Sequence, residues 1–210
     1  MTTIRIAPLL LCAALAFANG GYKSEPAGAP PSELAPAILA EMQPDGHKVI
    51  GPDGKVLCEV WFRKTAPEAP PTSETDVSWK TTPLGGLLGA IRFPSKGSDR
   101  RGQTIQPGVY TLRYNLYPIN GDHQGVAPQR DFLVLSPASL DKSLDPVKVF
   151  DELMNYSRKV SGTPHPAVLS MWKVESDFKP GMSQAGEHDW ALQAKIGDVP
   201  VALILVGKAE

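Results

Sequence analysis

Cysteine is nearly absent from this chain, with Cys12 and Cys58 the two in 210 residues. Cys12 falls within what reads as a secretory signal, so cleavage leaves Cys58 alone and excludes an intrachain disulfide even where the compartment permits one. Stability must then come from packing. Excess charge is absent too: the formal net charge is -1, which removes any electrostatic case for nucleic acid or an anionic membrane surface. Long apolar runs are missing beyond the N-terminus. Even Leu84 to Phe93 is short and carries three glycines, well under the roughly 20 apolar residues that span a bilayer. No Walker loop, dinucleotide fingerprint, C-x-x-C pair or H-E-x-x-H occurs, so the common nucleotide, redox and zinc-protease signatures are excluded.

The N-terminus supplies an address instead. Arg5, the apolar run Ile6 to Phe17 and the A-x-A site Ala16-Phe17-Ala18 have the order of a signal peptide. Residues 1–18 are therefore expected to be removed, giving a secreted or periplasmic protein with no transmembrane segment. Residues 19–43, with Pro26, Pro30, Pro31 and Pro36, read as a flexible Pro-rich leader, with a short helical turn at 36–42. Residues 44–210 are enough to bury one core, so one domain is expected there.

Twenty-one prolines and nineteen glycines imply many turns between short elements, and strand patterns follow one another without βαβ alternation. The expected fold is all-β, mainly an antiparallel β-sandwich or open barrel of about eight strands with one packed α-helix. The clearest strand runs from Val109 to Tyr117. Tyr110, Leu112, Tyr114 and Leu116 share one face, and Thr111, Arg113 and Asn115 share the other, which reads as the wet side. Phe132 to Leu135 is apolar on both faces, as in a strand covered on both sides, and should pair with it.

Other strands are expected at 46–50, 55–63, 77–80, 87–93, 167–174, 190–196 and 199–206. Gly197-Asp198 supplies a hairpin turn before the last. In 55–63, Cys58 shares a face with Val56, Val60 and Phe62 and reads as a buried small hydrophobe. Asp145 as N-cap and Pro146 at the first helical position predict a helix running through Phe150, Leu153 and Met154.

Candidate chemistry concentrates in the polar loop 120–130, where Asp122 and His123 are adjacent and Asp131 follows. With His188 from another loop, Asp122 and His123 suggest part of a divalent metal site, and on that reading the protein is a metal-dependent enzyme. The plainer reading makes Asp122 an Asx-turn residue and His123 a loop-packing one. A second group comes from strand faces. Trp61 between Glu59 and Arg63, and Tyr117 beside Asn115 and Arg113, suit stacking on sugar or docking of an envelope protein, unless another layer covers these rings. Lys96, Arg100 and Arg101 form a basic turn that suits phosphate or an acidic glycan, or else is a solvated loop. Gly181-Met182-Ser183-Gln184-Ala185 approaches the G-x-S-x-G elbow but leads toward a strand.

Three stretches, Ile105 to Leu112 with its P-G-x-Y-x-L strand entry, Gly121 to Val126 and Arg130 to Leu133, together resemble a group of signal-peptide-bearing bacterial β-sandwich proteins of uncharacterised function. The resemblance implies the compartment and the all-β class, and no activity. The expectation is thus a secreted or periplasmic binding module, the alternatives being the metal-dependent enzyme and a structural envelope component.

Overall fold

A computed structural model describes residues 21–119 and 129–208. Twelve strands and two helices follow in order: β1 (Lys23–Pro26), α1 (Pro36–Glu41), β2 (His47–Ile50), β3 (Val56–Phe62), β4 (Leu87–Phe93), β5 (Gly97–Ser98), β6 (Thr104–Ile105), β7 (Gly108–Leu116), β8 (Asp131–Pro137), α2 (Phe150–Ser161), β9 (Val168–Lys173), β10 (Gly181–Gln184), β11 (Trp190–Ile196) and β12 (Val199–Val206). Ten of the strands form one antiparallel sheet in the order β1-β2-β3-β4-β7-β8-β9-β12-β11-β10. Its two outer strands, β1 and β10, come together, so the sheet is nearly closed into a barrel. The Tyr22 and Trp190 rings meet edge to face at 5.3 Å across that seam.

The period-two patterns explain the interior. Tyr110, Leu112, Tyr114 and Leu116 of β7 point inward with Leu133 and Leu135 of β8, Leu169 and Met171 of β9, and Cys58, Val60 and Phe62 of β3. The interior is therefore filled with side chains, as in small barrels whose inward residues meet across the lumen. Cys58 is 1% exposed, and burial pushes its thiol pKa well up. The inert-hydrophobe reading fits that environment.

The outward faces are where sequence and structure part. Thr111, Arg113 and Asn115, expected on a wet face, are buried. The connection after β8 runs back over β7 and meets Thr111 and Arg113 through Asp141, Ser143 and Asp145. Two other covers sit beside it. Residues of α1 and its approach, including Leu34, Ile38 and Met42, lie on Trp61, Leu87 and Ala90; Leu153 and Met154 of α2 lie on Tyr117, Phe132, Val134 and Val168. In place of a loose leader, then, residues 21–43 contribute strand β1, paired antiparallel with β2, and a helix with Ile38 fully buried.

Helix α2 begins at Phe150 with Val149 as N-cap, and not at Asp145. The cause is tertiary: Arg113 takes the carbonyls of Ser143 and Asp145, and the Val147 N–H donates to the Gly85 carbonyl. With those groups tied to the barrel wall, the chain stays extended until residue 149. Gly85 permits the approach, since a Cβ there meets the Val147 oxygen at 2.0 Å and its φ is +75°.

Residues 77–80 are likewise not a strand; they close one end of the barrel, with Val77 and Trp79 joining the interior cluster. The opposite end is closed by the short β5-β6 hairpin, whose Ile105 is fully buried. Among the described residues no helix is long and apolar enough to cross a membrane.

Candidate functional site

Asp131 opens β8 at the barrel end closed by 77–80, and it is fully buried. One carboxylate oxygen accepts the Ser78 N–H (2.8 Å) and hydroxyl (3.0 Å); the other accepts the Trp79 N–H (3.1 Å) and the Tyr114 hydroxyl (2.7 Å). A carboxylate has about four lone-pair positions, and all are used. Burial, with the neighbouring Asp131 carboxylate second, drives the Tyr114 pKa far up, so that phenol stays a donor. Asp131 pins the 77–80 plug to the sheet and has no acceptor capacity left for a metal or ligand.

Arg113 is spent in the same way. Its Nε and one Nη donate to the two oxygens of Asp141 at 2.7 and 2.6 Å, and the remaining N–H groups meet the carbonyls of Gly85, Ser143 and Asp145. All five guanidinium donors are placed. The Thr111 hydroxyl also donates to Asp141.

The two aromatic candidates are covered. Trp61 is fully buried beneath the α1 region, with its Nε1–H on the Gly28 carbonyl at 2.8 Å. Tyr117 stacks on Phe132 at 4.3 Å under α2. His188 lies at the surface, 3.9 Å from the Glu187 carboxylate. Asp122 and His123 lie outside the described residues. Among the described residues no group of three or more His, Cys, Asp or Glu side chains is placed to hold a metal.

The basic turn is divided. Arg100 binds both oxygens of Asp189. Arg101 binds Asp99, whose other oxygen accepts the Arg101 and Gln103 N–H groups. Lys96 remains exposed. Ser183 lies in β10, where its hydroxyl accepts from Gln193, so the strand-to-helix turn of a nucleophile elbow is replaced by a hairpin strand.

Concave surface lies at both ends of the barrel: two clefts of about 520 and 280 Å³ flank the 77–80 plug, and two more lie at the β5-β6 end, on either side of Phe93. Outside the wall, a groove of about 890 Å³ runs between the ends of β4 and β7, the chain after β8, and α2. Its lining carries Arg92, Lys142 and Lys159 against one acid, Glu33, and includes Pro94, Pro107 and Pro137. Arg92 is fixed by an ion pair with Glu59 and lies 5.7 Å above the Trp61 ring. Among the described residues no ion pair involves Lys142 or Lys159. At the barrel mouth, a smaller pocket of about 350 Å³ has Leu57, Phe93 and Leu205 on its walls.

Sequence reasoning missed the groove because its three cations lie 50 and 17 residues apart along the chain (142 minus 92, and 159 minus 142). The Pro107-Gly108 strand entry was the available signal, since it marks the end of the wall where they converge. No family model, curated protein or solved structure matches this chain.

Proposed function

We propose that the protein is a secreted or periplasmic binding module whose groove takes an anionic glycan strand. The observation that carries this reading is the pairing of a long open groove with two unpaired lysines and a fixed arginine along its rim. Cations spaced along a concave surface attract a polyanion, and the proline faces offer flat apolar contact to sugar rings. The groove's volume lies inside the roughly 300–1,000 Å³ range of ligand sites. The signal-like N-terminus supports the compartment.

Titration of the purified mature chain with oligogalacturonate, against neutral cello-oligosaccharide, tests the reading. Expected are saturable binding of the acidic oligosaccharide alone, weakening with salt, and a loss of about tenfold or more in the Lys142→Gln/Lys159→Gln double variant. Because both side chains are exposed, that variant should melt within about 0.5 kcal/mol of the parent. Equal binding of both oligosaccharides overturns the anionic specificity of the groove, and no binding of either leaves the metal-dependent enzyme and the structural envelope component as the surviving readings.

A further inference from the structure

The pocket at the barrel mouth differs from the groove in its chemistry. Leu57, Tyr22, Leu205 and Val206 are half-buried and buried Phe93 closes the inner side, so large apolar side chains form one part of the wall. The rim is polar: Ser95, Lys96 and Ser98 are exposed, and no acid lines the pocket. Asp99 and Glu59, next in sequence to lining residues, are held by Arg101 and Arg92, and Asp189, which lies against Gly207, is held by Arg100. Among the described residues that line the pocket, Lys96 carries the one formal charge. Gly97 sets the width, since a Cβ there stands 2.6 Å from the Phe93 ring.

We infer that this pocket binds a small amphipathic carboxylate, its hydrocarbon body between Leu57 and Leu205 and its carboxylate at Lys96. Barrel mouths with apolar walls and a few convergent polar groups are common small-molecule sites. At about 350 Å³ the volume is near the bottom of the roughly 300–1,000 Å³ range, which suits a medium chain and excludes a long lipid. The single rim cation selects an anionic head over a neutral or cationic one by charge complementarity.

Calorimetric titration with octanoate, octanol and octylamine tests this inference. Octanoate should bind saturably, and octylamine should not. Lys96→Gln should weaken octanoate about fivefold, the scale of one exposed charge pair, and leave octanol unchanged. Leu205→Trp, which fills the pocket, should abolish both. Should Leu205→Trp fail to fold, methyl resonances of the parent protein decide: octanoate should shift Leu57 and Leu205 and leave Leu153 under α2 unmoved. The Lys142→Gln/Lys159→Gln variant should bind octanoate like the parent, which separates this pocket from the groove. Absence of saturable octanoate binding, indifference to Lys96→Gln, or shifts confined to other methyls overturns the inference.

Discussion

Arg92 and Arg113 stand on neighbouring strands, β4 and β7, both on the outward face of the barrel, yet they have opposite fates. Arg113 lies under the chain that follows β8, and each of its donors ends on a carboxylate or carbonyl of this protein. Arg92 lies where that cover ends; its side chain is 42% exposed, anchored by Glu59, and borders the groove. The difference teaches that the covering segment decides whether an outward charge holds the fold together or is offered to a ligand. A covered charge must be fully satisfied, because desolvation without partners is costly. An uncovered one retains water and can exchange it for ligand.

The sharpest way to break the comparison is at the covered end. Arg113→Ala strands the Asp141 carboxylate, and unfolding in denaturant should show a loss of about 3–5 kcal/mol. Arg113→Met with Asp141→Leu removes both charges together and should recover much of that loss. If the single variant costs no more than an exposed substitution, the Arg113–Asp141 knot does not hold the cover down.

Next in size is β7, where the inward and outward faces can be compared within one strand. Leu112→Ala should cost about 2–5 kcal/mol through a core cavity. Thr111→Val should also cost about 1–3 kcal/mol, because it leaves the buried Asp141 carboxylate without the hydroxyl donor. A wet outer face predicts almost no loss at Thr111, so the same denaturant melts distinguish a covered wall from a solvated one.

The smallest effect concerns His47 in β2, half-buried with its ring 6.4 Å from that of Phe62. Burial holds its pKa below the usual histidine value. The unfolded chain then binds a proton at a higher pH than the folded one, so stability is full above about 6.5 and declines as pH falls toward the lowered folded value. Unfolding free energies measured between pH 7.5 and 5 should fall less steeply in His47→Gln than in the parent. Parallel slopes mean that His47 is solvated in the folded state.

Much of the fold was legible in the residues. The alternation of 109–117 located β7 and its inward face, the doubly apolar 132–135 located a strand covered on both sides, and Gly197-Asp198 located the last hairpin. What misled was the same alternation read to its end: Thr111, Arg113 and Asn115 are polar, and a polar face ordinarily marks water. At Thr111 and Arg113 it marks a buried hydrogen-bond network whose partners, Asp141 and the carbonyls of 85, 143 and 145, are remote in sequence. The candidate site was far less legible. Trp61, Arg113, Tyr117 and Asp131 stood out as chemistry-bearing residues, and each is placed in the fabric of the barrel. No motif or periodicity sets Lys142 and Lys159 apart, and only the packing of α2 and the post-β8 chain beside β4 brings them to one rim.

The sequence by itself determined the local terms: which stretches are extended, which side of each strand is apolar, and where glycine and proline turn the chain. Those follow from side-chain period and backbone geometry, which act over a few residues. Tertiary structure alone decided the near-closure of the sheet by β1 against β10, the enlistment of 21–43 as part of the domain, the delay of α2 to Phe150, and the sorting of charged residues into buried clamps and open rims. Each of these depends on which remote segment supplies a hydrogen-bond partner or excludes water, and that is settled when the barrel brings distant strands side by side.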